Sequence, residues 1–159
     1  MTGTIHQPSV VIDEENLALH ETGRIDAFCY INCSGGVEIG PESVIHCGSH
    51  VVGAGGLVMG ARSVVTYNCV LATAVPGMDG PMSSMVDKRE VNRNVAPITI
   101  GDEAFVGSCA VVMPGVTIHD AGVVAAGAYV DRDVPPGTVL MPDGSTRERP
   151  GEWSRFTNR

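Results

Sequence analysis

Residues 98–134 read ITIGDEAFVGSCAVVMPGVTIHDAGVVAAGAYVDRDV, and within them Ile100, Val106, Val112, Ile118, Val124 and Val130 recur at every sixth place. Four residues after each stand Ala104, Ala110, Val116, Gly122, Ala128 and Val134, all small or β-branched. The position directly after each aliphatic residue holds Gly101, Gly107, Met113, His119, Ala125 and Asp131. A helix returns its apolar positions about every 3.6 residues and a simple strand every 2. A period of six is neither. It describes a backbone in which each hexad supplies one short strand and one corner, and three hexads close a triangular coil.

Toward the N-terminus the period changes to twenty. Ile25, Ile45 and Val65 form one series, Ile31, Val51 and Leu71 a second, and Leu19, Ile39 and Met59 a third. Each of these coils is three hexads plus two residues, and the extra pair falls at one corner, in Ser34-Gly35-Gly36 and again in Ala54-Gly55-Gly56. Val11 precedes Leu19 as Ile31 precedes Ile39, so the pattern is expected from about residue 11. Stacking explains the repetition: a coil buries its aliphatic row only against its neighbours, and parallel ladders about 4.8 Å apart satisfy the backbone. The fold class expected is all-β, a parallel β-helix.

Between Leu71 and Ile98 the period stops. Residues 73–97 contain three prolines, three methionines and the charged run Asp87-Lys88-Arg89-Glu90, which marks a long inserted loop of the kind that carries function. The expected division is a β-helix domain over 1–142 with its insertion at 73–97, then a C-terminal extension over 143–159. That extension carries Arg147, Arg149, Arg155, Arg159 and Trp153.

Composition agrees with tight turns around small aliphatic side chains: 20 glycines, 43% hydrophobic residues and only 4% aromatics. No apolar run is long enough to span a bilayer, and the N-terminus lacks the basic flank and apolar stretch of a secretory signal. A cytoplasmic protein is expected. Five cysteines without paired-motif spacing fit free thiols in a reducing compartment. A net charge of −8 argues against sequence-independent binding to nucleic acid or anionic lipid.

The stretch Pro97-Ile98-Thr99-Ile100-Gly101-Asp102 through Gly115-Val116-Thr117-Ile118, followed by Val130-Asp131-Arg132-Asp133-Val134-Pro135-Pro136-Gly137, resembles the hexapeptide-repeat acyltransferases. It is most similar to the galactoside and maltose O-acetyltransferase branch and its relatives in surface-polysaccharide synthesis, over roughly residues 19–140. The resemblance implies a left-handed parallel β-helix, acetyl-CoA as co-substrate without a metal, a sugar or sugar-like acceptor, and a homotrimer with the co-substrate between subunits. It also implies positions for that co-substrate. Ser108 stands where relatives place a hydroxyl near the thioester or pantetheine. Ala126 and Gly127 match a segment whose backbone meets the pantetheine amides. Arg132 stands where a basic residue meets phosphate. One departure is plain: where sugar acetyltransferases carry a catalytic histidine, this chain reads Ala74-Val75-Pro76, and the loop holds no histidine.

Acyl transfer to a hydroxyl needs a base, an oxyanion donor and a means of alignment. His46 follows Ile45 at a corner, and the same column holds Asp26 one coil earlier and Thr66 one coil later. Stacking would set Asp26 beside His46, where a carboxylate orients the imidazole and stabilises its cation. His46 and Asp26 are therefore the catalytic candidates, against the plainer reading of a solvated corner histidine. His50, in an outward column with Tyr30 and Val70, suits an interface. His20 and His119 are surface corners. Cys29, Ser49 and Cys69 form a small inward column that packs, and Cys47 is the one thiol with a neighbour able to activate it. Three other functions stay open: acetylation of a nucleotide-linked amino sugar, which needs no strong base; a zinc site of the β-helical carbonic anhydrase kind, against which His46 and His50 lack the required spacing and third ligand; and a catalytically silent trimeric scaffold.

Overall fold

The computed structural model describes residues 3–83, 85, 87, 89 and 91–153. Three parallel sheets wind around one axis as the faces of a prism, forming the left-handed β-helix. Face A stacks Thr4–Ile5, Arg24–Ile25, Val44–Ile45, Val64–Val65, Phe105–Val106, Val123–Val124 and Thr138–Leu140. Face B stacks Val10–Ile12, Tyr30–Asn32, His50–Val52, Val70–Ala72, Val111–Val112 and Tyr129–Val130. Face C stacks Leu17–Leu19, Val37–Ile39, Leu57–Met59, Ile98–Ile100 and Thr117–Ile118.

The register is the one the periods require. Ile25 lies opposite Ile45 and Ile45 opposite Val65, twenty residues apart; Val106 lies opposite Val124, eighteen apart. Between them Val65 pairs with Val106 across the insertion, so the ladder runs on without a break. Every member of the six-residue series from Ile100 to Val130 is buried, as are Ile25, Ile45, Val65, Ile31, Val51 and Leu71. Burying each such side chain contributes roughly 1.5–3 kcal/mol, and the repetition along the axis makes one continuous core.

The corners are sharp. In the turn from face A to face B, Phe28, Asn68 and Cys109 have φ of 63°, 56° and 62°, and Gly48 and Gly127 occupy the same place with 75° and 73°. The left-handed conformation costs a side-chain-bearing residue roughly 1–2 kcal/mol, so neighbouring interactions must hold these corners closed. In the turn leaving face C, the Asp102 carboxylate accepts from the Ala61 amide at 2.7 Å and that of Asp120 accepts from the Asp102 amide at 2.9 Å. Each aspartate thus satisfies a corner amide that the ladders leave over.

Three features extend the pattern read from sequence. The solenoid starts earlier than residue 11, because Thr4–Ile5 already pairs in parallel with Arg24–Ile25. Past Gly137 the strand Thr138–Leu140 still joins face A, and Thr146–Glu148 folds back antiparallel on it. Within the insertion, Ala74–Pro76 and Arg93–Val95 pair as an antiparallel arm at the corner between faces B and C.

Candidate active site

The corner from face A to face B carries the polar column. Stacking brings Asp26 and His46 together: His46 Nδ1 lies 2.7 Å from Asp26 Oδ2. A carboxylate only accepts, so Nδ1 donates, and in the neutral ring Nε2 is left with its lone pair. Nε2 has no hydrogen-bonding partner among the described residues. The other carboxylate oxygen of Asp26 receives Arg24 Nε at 2.8 Å, and His6 Nδ1 stands 3.4 Å from it. Asp26 is buried, and the Ser9 hydroxyl is shared between the main-chain carbonyls of His6 at 2.9 Å and Asp26 at 3.1 Å. The ring of His46 is stacked by Tyr67, with centroids 4.9 Å apart and planes inclined by 19°.

One coil further along the axis, the Thr66 hydroxyl donates to the Val106 carbonyl at 2.7 Å, and Ser108 Oγ donates to Thr66 Oγ1 at 3.1 Å. Two ladder steps, roughly 10 Å, separate the His46 level from the Ser108 level. Ala126 and Gly127 lie one step beyond Ser108 on the same corner, both exposed. The Gly127 amide is already committed to the Ser108 carbonyl at 2.8 Å. Between them these two residues carry no more than one methyl group, so an extended chain has room to lie along this edge. Arg132 is not on this corner. It sits past face B, exposed, donating to the Gly144 carbonyl and 3.6 Å from Asp131.

Other residues singled out from sequence fall elsewhere. His50 lies on face B between Tyr30 and Val70, half-buried, with the Tyr30 ring 6.4 Å away. His20 and His119 are exposed. Cys29 and Cys69 are buried with Ser49 between them, and burial pushes both thiols above their ordinary pKa. Arg149 reaches back to the carbonyls of Glu103 and Ala121 at 3.2 and 3.1 Å, so its guanidinium holds the extension against the prism. Arg155 and Arg159 lie outside the described residues. The sequence reading missed His6, Arg24 and Tyr67. A signal existed for His6, since Ile5 stands twenty residues before Ile25.

Along this corner Tyr67, Ala126 and Gly127 are exposed, leaving an open edge. Two cavities lie away from this corner: one of about 160 Å³ at the arm, lined by Ala74, Val75, Pro76, Met82, Val91 and Arg93, and one of about 80 Å³ at the N-terminal mouth.

Residues 97–132 match the family described as the hexapeptide repeat of succinyl-transferase. Galactoside O-acetyltransferase of Escherichia coli is 51% identical over 43 residues, 27% of this chain and 21% of that enzyme. Nodulation protein L of Rhizobium meliloti is 30% identical over 119 residues, 65% of each chain. Over residues 97–132 the chain thus carries the hexapeptide repeat, and the relatives it resembles in that region include acetyltransferases. The chain spans about a fifth of the galactoside enzyme and less than two thirds of nodulation protein L. Its fold is shared with AntD, an N-acyltransferase from Bacillus cereus solved with dTDP-4-amino-4,6-dideoxyglucose and coenzyme A: TM-score 0.83, 18% identity, covering 91% of this chain and 77% of that one.

Proposed function

We propose that the protein transfers an acetyl group from acetyl-CoA to the hydroxyl of a sugar or sugar-like acceptor. The observation that carries this reading is the Asp26–His46 hydrogen bond, on the same corner as Ser108 and two coils from it. In the reaction, Nε2 of His46 takes the acceptor's hydroxyl proton as the oxygen attacks the thioester carbonyl. Asp26 holds the ring in the tautomer that leaves Nε2 free and offsets the imidazolium charge. Collapse of the tetrahedral adduct breaks the carbon–sulfur bond, and the proton returns from Nε2 to the departing thiolate. Ser108, Ala126 and Gly127 line the path of the pantetheine arm, and Arg132 meets its phosphates around the next corner. The family kinship and the coenzyme A bound to the related fold support the co-substrate.

An open edge needs a second wall, and this supports a homotrimer. Face A presents half-buried Val44, Val64 and Val123 beside exposed Phe105, and face B presents exposed Val10 and Tyr129. Sedimentation equilibrium at three times the 16.6 kDa chain mass is the expected result. No described helix is long and apolar enough to cross a membrane. The five unpaired thiols support a cytoplasmic setting.

The test is thiol release from acetyl-CoA with a panel of hydroxyl and amino sugars. Hydroxyl acceptors are expected to react and His46→Ala to lower the rate by about 10²–10⁴. Turnover by His46→Ala at the full rate would sink the assignment of the base. A preference for amino sugars would favour the second reading, N-acetylation, which the absence of a histidine from the loop and the amino-sugar ligand of the related fold support.

A further inference from the structure

We infer that Tyr67 is a positioning residue for the proposed base, fixing the plane of the His46 imidazole while Asp26 fixes its tautomer. The inference rests on the reading of His46 given above. A single hydrogen bond at Nδ1 leaves the ring free to swing about the line joining it to Asp26. The torsion that sets an imidazole plane is broad and has no sharp staggered well. A second contact is needed to aim Nε2, and Tyr67 supplies it. Its ring lies 4.9 Å from that of His46 at 19°, close to parallel. Tyr67 is also half exposed, at 50%, so neither its ring nor its position is accounted for by burial in the core.

Its place along the axis points the same way. The Tyr67 carbonyl accepts from the Cys109 amide at 2.9 Å, and Asn68 donates to the Cys47 carbonyl at 3.2 Å. These bonds stack residues 47, 67 and 108 in one column at the corner. Cys47 and Ser108 are small, and Tyr67 between them is the one large side chain. It therefore stands between the level of the proposed base and the level of the proposed co-substrate contact, where the acceptor hydroxyl must meet the thioester. A stacked aromatic face also favours the cation that His46 becomes when it takes the proton.

The test compares Tyr67→Leu, Tyr67→Phe and His46→Ala in the full chain. Tyr67→Leu is expected to lower kcat about three- to tenfold, the size a stacked aromatic pair supplies, with KM for acetyl-CoA unchanged within about twofold. Tyr67→Phe keeps the ring and is expected to restore kcat. A purely structural role would lower thermal stability and raise KM, which the half-exposed position argues against. An independent readout is the proton resonance of His46 Cε1, which the tyrosine ring current displaces upfield; Tyr67→Leu is expected to release it. Full kcat in Tyr67→Leu beside an inactive His46→Ala overturns the inference alone. A fall in Tyr67→Phe equal to that in Tyr67→Leu overturns it too, by assigning the effect to the hydroxyl. Full activity in His46→Ala overturns it together with the base assignment.

Discussion

Ser108 donates its hydroxyl proton to Thr66, because the proton of Thr66 is itself held by the Val106 carbonyl. The Ser108 oxygen consequently shows only lone pairs to a ligand. With its proton so committed, that oxygen can accept an N–H but has no hydrogen left to give an oxyanion. Ser108→Ala is therefore expected to weaken binding of coenzyme A by about three- to tenfold, the worth of one hydrogen bond. In this variant kcat at saturation should change little. Isothermal titration with coenzyme A checks the first, and saturating kinetics the second. A collapse of kcat with intact binding would mean that Ser108 acts on the reacting carbonyl.

Asp26 invites a complementary substitution. Asp26→Asn leaves a side chain of the same shape whose amide can present N–H to the imidazole and favour the unproductive tautomer. The expected loss in kcat is about 10²-fold or more, with KM for acetyl-CoA held. Initial rates of thiol release settle it. A rate within twofold of the parent chain would show that His46 works without its carboxylate.

Of this site, the Asp26–His46 contact was legible in sequence because stacked coils convert a spacing of twenty into adjacency. Tyr67 was not, since it reaches His46 diagonally, from one residue past Thr66 in the next coil, and column reading tracks only direct neighbours. Arg24, on the strand Arg24–Ile25, reaches Asp26 at the corner just past it, two residues further along the chain. That relation was visible but silent, because an exposed arginine has many possible destinations. The aliphatic periods decided the fold because every one of those positions had to be buried. The arm formed by Ala74–Pro76 and Arg93–Val95 was hidden for the opposite reason: none of its residues joins a repeating row, and Pro76 is a poor advertisement for a strand.

Two adjacent glycines separate space from conformation. A methyl group on Gly35 would stand 2.3 Å from the Ala54 carbonyl oxygen and 2.5 Å from the Gly56 nitrogen, both backbone atoms that cannot yield. On Gly36, at φ 83°, it would meet nothing within 4 Å. Gly36→Ala is expected to cost about 1–2 kcal/mol, the left-handed penalty alone, and Gly35→Ala clearly more. Urea midpoints at one fixed protein concentration compare them. Equal midpoints would contradict the close coil-to-coil approach at this corner.

In the core, Ile45→Ala removes a fully buried side chain between Ile25 and Val65 on face A. A loss of about 2–5 kcal/mol is expected, read from the same urea transitions. A loss below 1 kcal/mol would mean that the prism collapses around the gap.

The thiols should separate by exposure and by pH. Burial, with Asp13, Glu14 and Glu15 adding negative charge nearby, pushes Cys33 from its ordinary 9.0 up to about 11. Below pH 9.0 both the folded and unfolded chains keep that proton. Between pH 9 and about 11 only the unfolded chain gives it up, so the fold loses stability as pH rises through this window. Cys109 is exposed and is expected to react first with a thiol reagent at pH 8, while Cys29, Cys33 and Cys69 wait for unfolding. Mass mapping of the labelled positions gives the order, and early labelling of Cys33 would contradict its burial.

The strand Thr146–Glu148 runs against the direction of every other member of face A. A neighbouring molecule trying to continue the ladder at that end would meet a reversed edge with Arg147 and Glu148 exposed on it, a poor template for another parallel coil. Growth of molecules end to end into a fibre is thereby discouraged at that rim.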